Sequence, residues 1–225
     1  MELSAVRVPP VPDNNAVPHA SSDPAATIAT EEPTADLALA ETRAWVDRAV
    51  IGLNLCPFAK APRVKGQVRC VVSEARDAEA LLAVLVDELK RLAETPPDRV
   101  ETTLLIHPQV LTDFADYNDF LDLADAAVAE LGLEGVIQVA SFHPRYRFAG
   151  SKADDLANAT NRSPHPTLHL LREASISRAV AAFPEAEAIF EANIATLRRL
   201  GAEGWAALQA RCREDAALVP GRPDE

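Results

Sequence analysis

The chain has 225 residues, of which 48% are hydrophobic and 25% are charged, and its formal net charge is −12. This length fits one domain or two small ones, and so acidic a balance argues against a nucleic-acid-binding surface. No stretch approaches the about 18 apolar residues that a membrane-spanning helix needs, so we expect a soluble protein without a membrane partner.

The ends of the chain differ in composition from its middle. Residues 1–34 hold six prolines and almost no large apolar side chains, which predicts a disordered tail. They lack the apolar segment of a secretory signal and carry several acids, which argues against a transit peptide. We therefore predict a single α/β domain over residues 35–213 and a frayed tail over 214–225. The three cysteines are odd in number and show no CxxC spacing, which fits a cytoplasmic protein better than a disulfide scaffold.

Hydrophobic periodicity predicts a helix, a βαβαβ unit and further helices, in that order. The predicted elements are a helix over 37–53 anchored by Trp45, a strand over 67–73, a helix over 82–92, a strand over 102–106, a helix over 114–131, a strand over 136–142, and helices from Ser163, from Pro184 to Gly201 and around Trp205. Helical crossovers between successive strands imply parallel pairing. The expected fold is therefore α/β, with a small parallel sheet of about three strands flanked by helices, an N-terminal helix and a C-terminal helical segment.

Two histidines follow predicted strands directly. His107 comes after the second strand and His143 after the third, and a proline follows each of them. Because the carboxyl ends of parallel strands share one edge, and α/β sheets bind ligands outside that edge, both histidines are candidates for a site there. The alternative is that each is only a polar strand terminus, with proline ending the ladder.

The segment after the third strand carries further polar candidates. Ser163 and Pro164 are typical of the N-cap and first turn of a helix. On such a helix His165, His169 and Arg172 would share one face, since they stand at positions i, i+4 and i+7.

Positive charge is concentrated in this region and in one earlier stretch. Residues 48–73 and 135–153 contain no acid, although the chain as a whole is acidic. Basic residues confined to the loops of a site favour an anionic ligand. The residues predicted to bind it are Arg145, Asn161, Arg162, Ser163, Arg172 and His107, with the amino terminus of the predicted helix adding N–H donors. Ordinary ion pairs with acids elsewhere are the alternative explanation.

Cys56 is a candidate nucleophile because it lies in a basic neighbourhood, which favours a thiolate. It also follows the end of a predicted helix, where the helix dipole opposes ionisation, and it lies among Leu53, Leu55 and Phe58. A small buried hydrophobe is therefore the alternative role for Cys56.

A metal site is the remaining chemistry to weigh. His165 and His169 at i and i+4 could bind one ion, with His143, His107 or Cys56 completing the site. The arginines of the same loops would repel a divalent cation, so an anion site is preferred and no metal ligand is assigned. Neither GxxxxGK[ST] nor GxGxxG occurs, and the sequence identifies no cofactor.

Four segments resemble those of a known family. They are AVIGLNLCPFAK from Ala49, VLTDFADYNDFLDLAD from Val110, VASFHPRYRFAG from Val139 and ATNRSPHPTLHLLREASI from Ala159. They are similar to the domain of unknown function 1415 family of bacterial and plant proteins, over roughly residues 36–200. The resemblance implies no assigned activity and no catalytic residue. An aromatic residue is usual in that family at position 165, which favours His169 over His165 as a ligand.

The sequence as a whole favours an enzyme that acts on a small anionic metabolite by hydrolysis or group transfer. In this hypothesis Arg145 and Arg162 bind the anion, and His143 and His169 act as acid and base. The alternatives are a non-catalytic module that binds an anion or a partner, a metal-dependent enzyme using His143 and His169, and a loop whose polar side chains only satisfy the backbone. The sequence does not specify the substrate or the oligomeric state.

Overall fold

The computed structural model describes residues 33–182 and 188–218, without the side chain of residue 182. The tail predicted over residues 1–34 lies outside this part except for Pro33 and Thr34. The last helical segment continues to Leu218, and residues beyond it are again outside the described part, as is Pro184, where a helix was predicted to begin. The boundaries predicted for the domain and its tails stay predictions.

Six α-helices and four strands make up the described chain, together with one π-helical and one 3₁₀ segment. In order they are α1 (Ala35–Trp45), a π-helical turn (Val46–Ile51), α2 (Lys60–Val64), β1 (Val68–Val72), α3 (Ala78–Glu94), β2 (Thr102–Ile106), α4 (Phe114–Glu130), β3 (Ile137–Phe142), a 3₁₀ helix (Leu156–Asn161), β4 (Thr167–Arg172), α5 (Glu173–Ala182) and α6 (Ala188–Leu218). Helix α6 is broken by a kink at Gly201, whose φ of 73° is not helical, where a helix was predicted to end. Among the described residues, no helix combines the length and hydrophobicity needed to cross a bilayer.

The four strands form one mixed sheet in the order β1-β2-β4-β3. Strands β1 and β2 are parallel, and β4 runs antiparallel to both β2 and β3. The three predicted strands therefore run in one direction, as expected, but β2 and β3 are separated by a fourth strand. The mixed α/β class is confirmed.

The prediction of a helix beginning at Ser163 is wrong, because residues 167–172 form β4 in the interior of the sheet. Leu168 and Leu170 are fully buried while His169 and Leu171 are half-buried, which is the two-residue alternation of a strand. The spacing of His165, His169 and Arg172 matched a helical face only by coincidence. The alternation at Leu168 and Leu170 was the sequence signal for a strand, and the prediction from helical spacing overlooked it.

Helices cover both faces of the sheet. One face packs on α3 and α4, and its core includes Leu85, Leu105, Tyr117, Leu168 and Leu170. The other face packs on α1 and α6, and its core includes Trp45, Leu104, Leu197, Trp205 and Leu208. Trp45 is buried as predicted.

Side-chain caps explain where the helices that flank the sheet begin. Thr34 accepts a hydrogen bond from the Leu37 amide, Asp77 from the Ala80 amide and Asp113 from the Ala115 amide. These residues satisfy amide groups that the first turn of a helix leaves without partners. The amino terminus of α1, which Thr34 caps, lies beside the carboxyl ends of β1 and β2.

Candidate functional site

A cleft of about 330 Å³ lies at the carboxyl ends of β1 and β2. Its walls come from the end of β1, the turn after β2 and the first residues of α1. The residues that line it are Pro33, Ala35, Val72, Ser73, Glu74, Arg76, Pro108 and Gln109. This is the edge of the sheet at which a ligand site was predicted.

His107 directly precedes Pro108 and Gln109 of the cleft, but its own side chain points into the protein interior. The imidazole is fully buried and its Nδ1 lies 3.0 Å from the carbonyl oxygen of Val110. Its Nε2 is buried and has no hydrogen-bond partner within the described residues. Burial lowers the pKa of His107 to about 4, so the ring is neutral at pH 7.

His143 lies near His107, as predicted, because both follow strands that run in the same direction. The ring centroids of the two histidines lie 5.7 and 5.1 Å from that of Tyr117 on α4. The His143 Nδ1 accepts a hydrogen bond from the Arg145 amide at 3.0 Å, and its Nε2 lies 3.3 Å from the Leu111 carbonyl oxygen. Burial lowers the pKa of His143 to about 4. Both ring nitrogens are thus occupied by backbone groups.

His169 is not brought together with His143. Its partners in the sheet are Leu104 and Ala140, which places its side chain on the face covered by α1 and α6. His143 lies on the opposite face, against Phe114 and Tyr117 of α4. The predicted acid and base are therefore separated by the sheet.

The Nε2 of His169 lies 2.7 Å from the Thr102 hydroxyl, which itself donates to the Leu170 carbonyl. Since a hydroxyl has only one hydrogen, Thr102 must accept from His169 here. Burial lowers the pKa of His169 to about 4, and its neutral ring is consistent with this single N–H donor.

The predicted anion-binding side chains mostly contact backbone carbonyl groups. Arg162 donates to the carbonyls of Tyr146 and Ala153, and Asn161 donates to that of Ser141. Ser163 donates to the carbonyl of His165 at 2.6 Å. These contacts favour the structural explanation for the polar loop.

Arg145 and Arg172 also have partners within the chain. The Arg145 guanidinium is largely exposed and contacts the Thr112 carbonyl and, at 3.2 Å, the Asp113 carboxylate. Arg172 is 8% exposed and donates to the carbonyls of Leu92, Thr95 and Val100. Arg172 therefore lies at the carboxyl end of α3, away from the cleft.

A model of the protein family of unknown function DUF1415 matches residues 38–207. The chain belongs to the DUF1415 family. This match confirms the resemblance that the sequence segments indicated over residues 36–200. No curated protein and no solved structure matches the chain.

Cys56 of this DUF1415 chain is half-buried in the loop before α2. Burial raises the pKa of its thiol, although the backbone N–H groups of Phe58 and Ala59 partly oppose that shift by bonding the sulfur. A protonated thiol is a weak nucleophile. Within the described residues, no group of three or more His, Cys, Asp and Glu side chains could hold a metal ion.

Sequence reasoning missed two features of the site. Ser73 and Gln109 line the cleft; Ser73 ends the strand predicted over residues 67–73 and Gln109 follows shortly after the strand predicted over 102–106, so their position was the available signal. Tyr117 lies in the helix predicted over residues 114–131, and its hydroxyl was not among the predicted site groups. That hydroxyl donates to the Thr167 carbonyl and accepts from the Phe142 amide, joining α4 to β4 and β3.

Proposed function

We propose that this protein binds a small anionic metabolite in the cleft at the carboxyl ends of β1 and β2. The proposal rests on the position of the cleft, because α/β sheets bind their ligands just outside the carboxyl ends of the strands. Its volume of about 330 Å³ suits a small metabolite rather than a polymer.

The polar groups that line the cleft favour an anionic ligand. The Ser73 hydroxyl accepts from the Ala75 amide, so its own hydrogen can be donated to a ligand. Gln109 supplies an amide, and Ala35 brings the amino terminus of α1, where the helix dipole favours negative charge. Arg76 and Glu74 of the cleft wall are both exposed, so water screens their opposite charges alike and the N–H and O–H donors are what favour an anion.

Binding has more support than hydrolysis or group transfer by the predicted pair. His143 and His169 lie on opposite faces of the sheet, and a single small substrate cannot contact both. The same separation counts against a metal-dependent enzyme built on these two histidines. The three cysteines form no disulfide in the described part of the chain, which supports a reducing compartment such as the cytoplasm.

Ligand screening tests the proposal. Small phosphates and carboxylates are added to the full chain, and binding is measured by thermal shift and then by calorimetry. We expect at least one ligand whose affinity falls roughly tenfold in Ser73→Ala and in Gln109→Leu, the loss of one hydrogen bond each. Mass spectrometry of the incubated ligand detects turnover and separates an enzyme from a binding module.

Arg162→Gln is the matched control, because Arg162 belongs to the anion site predicted from the sequence and does not line the cleft. It should leave the affinity unchanged. A ligand that responds to Arg162→Gln and ignores both cleft variants would contradict the proposed site, as would a screen in which nothing binds.

A further inference from the structure

Three consecutive carbonyl groups after β2 are held by side chains. The carbonyl of Val110 is bonded by His107, that of Leu111 by His143 and that of Thr112 by Arg145. These residues belong to the loop of residues 108–112, which also carries Gln109 of the cleft wall. The two histidines therefore bond this loop directly after its cleft-lining residues, Pro108 and Gln109.

The loop has a conformation that side-chain-bearing residues rarely adopt. Leu111 has a φ of 55°, in the left-handed region that favours glycine. Such a conformation persists only where neighbouring contacts hold it in place. The contacts at this point are the hydrogen bonds of His143 and His107 to the two adjoining carbonyls.

The two rings hold these carbonyls as opposite tautomers. A carbonyl oxygen can only accept, so the proton of His107 must be on Nδ1, facing Val110. In His143 the Nδ1 accepts from the Arg145 amide, so its proton must be on Nε2, facing Leu111. A second proton would remove the acceptor that His143 offers to the Arg145 amide, whereas a charged His107 would still donate to Val110.

The surroundings oppose a second proton on either ring. Both side chains are fully buried and both lie against Tyr117, whose hydroxyl is bonded to the backbone of β3 and β4. The Arg145 guanidinium disfavours a charge on His143 and the Asp113 carboxylate favours one, and each histidine faces the other. Burial is the largest of these effects and lowers the pKa of both histidines to about 4.

We propose that His107 and His143 are positioning residues that, as opposite neutral tautomers, hold the loop of residues 108–112 in its strained conformation, and that protonation of His143 loosens this loop. A proton on the Nδ1 of His143 would face the Arg145 amide, so two donors would oppose each other and displace Arg145, whose guanidinium holds the Thr112 carbonyl. The release of the loop is a property of the chain alone. Its effect on a bound ligand rests on the proposed function of the cleft.

Nuclear magnetic resonance of the full ¹⁵N-labelled chain tests the tautomers directly. At pH 7 the long-range ¹⁵N–¹H spectrum should show His107 protonated on Nδ1 and His143 protonated on Nε2, with His107→Gln and His143→Gln used for assignment. Both rings should stay neutral to about pH 5. The same tautomer at both positions, or a charged ring at pH 7, overturns the proposal, and the tautomers themselves are read from the wild-type spectrum.

Hydrogen exchange of the amides of residues 109–112 tests the release. Their opening should increase roughly tenfold in His143→Leu, the loss of one hydrogen bond, and should also increase in the wild type as the pH falls from 6 to 4.5. His165→Gln is the control and should not change the exchange of these amides. Exchange that ignores both His143→Leu and acid overturns the proposal.

Calorimetry with inorganic phosphate, or with the best ligand of the screen, separates this inference from the proposed function. If the tautomers and the exchange behave as expected and nothing binds, the positioning role stands and the proposed ligand fails. If a ligand binds in the cleft with an affinity unchanged in His143→Leu and an exchange rate that is also unchanged, the positioning role fails and the proposed function stands.

Discussion

The guanidinium of Arg172 on β4 donates to the carbonyl oxygen of Leu92 in the last turn of α3, at 2.6 Å. The same group reaches the carbonyls of Thr95 and Val100 just beyond that helix. The carbonyl groups at the end of a helix lack partners within the helix and carry partial negative charge. Arg172 therefore ties an interior strand of the sheet to the end of α3.

Replacing Arg172 should destabilise the fold. We expect Arg172→Leu to lower the free energy of unfolding by about 3 kcal/mol, because buried carbonyls lose a charged donor. Urea unfolding at pH 7 measures this change. Arg178→Leu is the control, since Arg178 is 63% exposed in its pair with Glu101, and it should cost less than about 0.5 kcal/mol. Equal stability of Arg172→Leu and the wild type would show that these hydrogen bonds do not contribute.

Gly52 ends the π-helical turn where a side chain has no room. A Cβ at this position would lie 2.3 Å from the carbonyl oxygen of Arg48, so the backbone would have to shift. We expect Gly52→Ala to lower the unfolding free energy by about 2 kcal/mol, as overpacking does elsewhere. Thermal and urea unfolding both measure it.

Gly204→Ala is the matched control for Gly52→Ala. A Cβ at Gly204 would lie 2.8 and 2.9 Å from Cδ1 and Cγ of Leu200, so only a rotatable side chain and no backbone atom has to shift, and alanine favours the helix. Its stability should stay within about 0.5 kcal/mol of the wild type. A larger loss in Gly204→Ala than in Gly52→Ala would contradict the explanation from backbone contact.

Cys56 should react slowly with alkylating agents. Burial raises the pKa of its thiol, and the thiolate is the reactive form. At pH 7.5 we expect iodoacetamide to modify Cys56 at least about tenfold more slowly in the folded chain than in urea. Peptide mapping by mass spectrometry gives the rate for each cysteine. Faster modification in the folded chain would restore the nucleophile hypothesis.

His169 should make the fold sensitive to acid. Its pKa is about 4 in the folded chain and near 6.5 when unfolded, so the unfolded chain binds more protons between these values. The stability that the neutral ring contributes is present above pH 6.5 and is lost as the pH falls to 4. Glutamine at position 169 can still donate to Thr102 but does not titrate.

We therefore expect His169→Gln to lose about 2 kcal/mol less stability than the wild type between pH 7 and pH 4.5, allowing for the partial exposure of the ring. Urea unfolding at both pH values measures the difference. Parallel loss of stability in the two proteins would mean that His169 does not titrate in this range.

The elements that the sequence predicted are those with a long or unambiguous period. Residues 82–92 and 114–131 show apolar side chains at helical spacing, and α3 and α4 lie there. The strand predicted over residues 102–106 is β2 with the same limits. Such segments can be recognised because a helical period reflects one buried stripe, and a continuous apolar run reflects a strand buried on both faces.

The segment of residues 163–172 was misassigned because short segments can match two periods. The serine and proline at 163 and 164 resemble a helix start, yet residues 167–172 insert as β4 between β2 and β3. That insertion depends on strands distant in the chain, which local spacing does not contain. It also moved His169 to the opposite face of the sheet from His143.

The sequence by itself determined that α3 and α4 are helices, that β1, β2 and β3 run in one direction, and that His107 and His143 meet at one edge, because each follows from local periodicity and from the geometry of crossover connections. Only the tertiary structure decided which nitrogen of each histidine carries its proton, which charged side chains contact backbone carbonyls, and where the cleft lies. Those properties depend on carbonyls and side chains brought together from remote parts of the chain, and hydrogen bonding and burial act on that final arrangement.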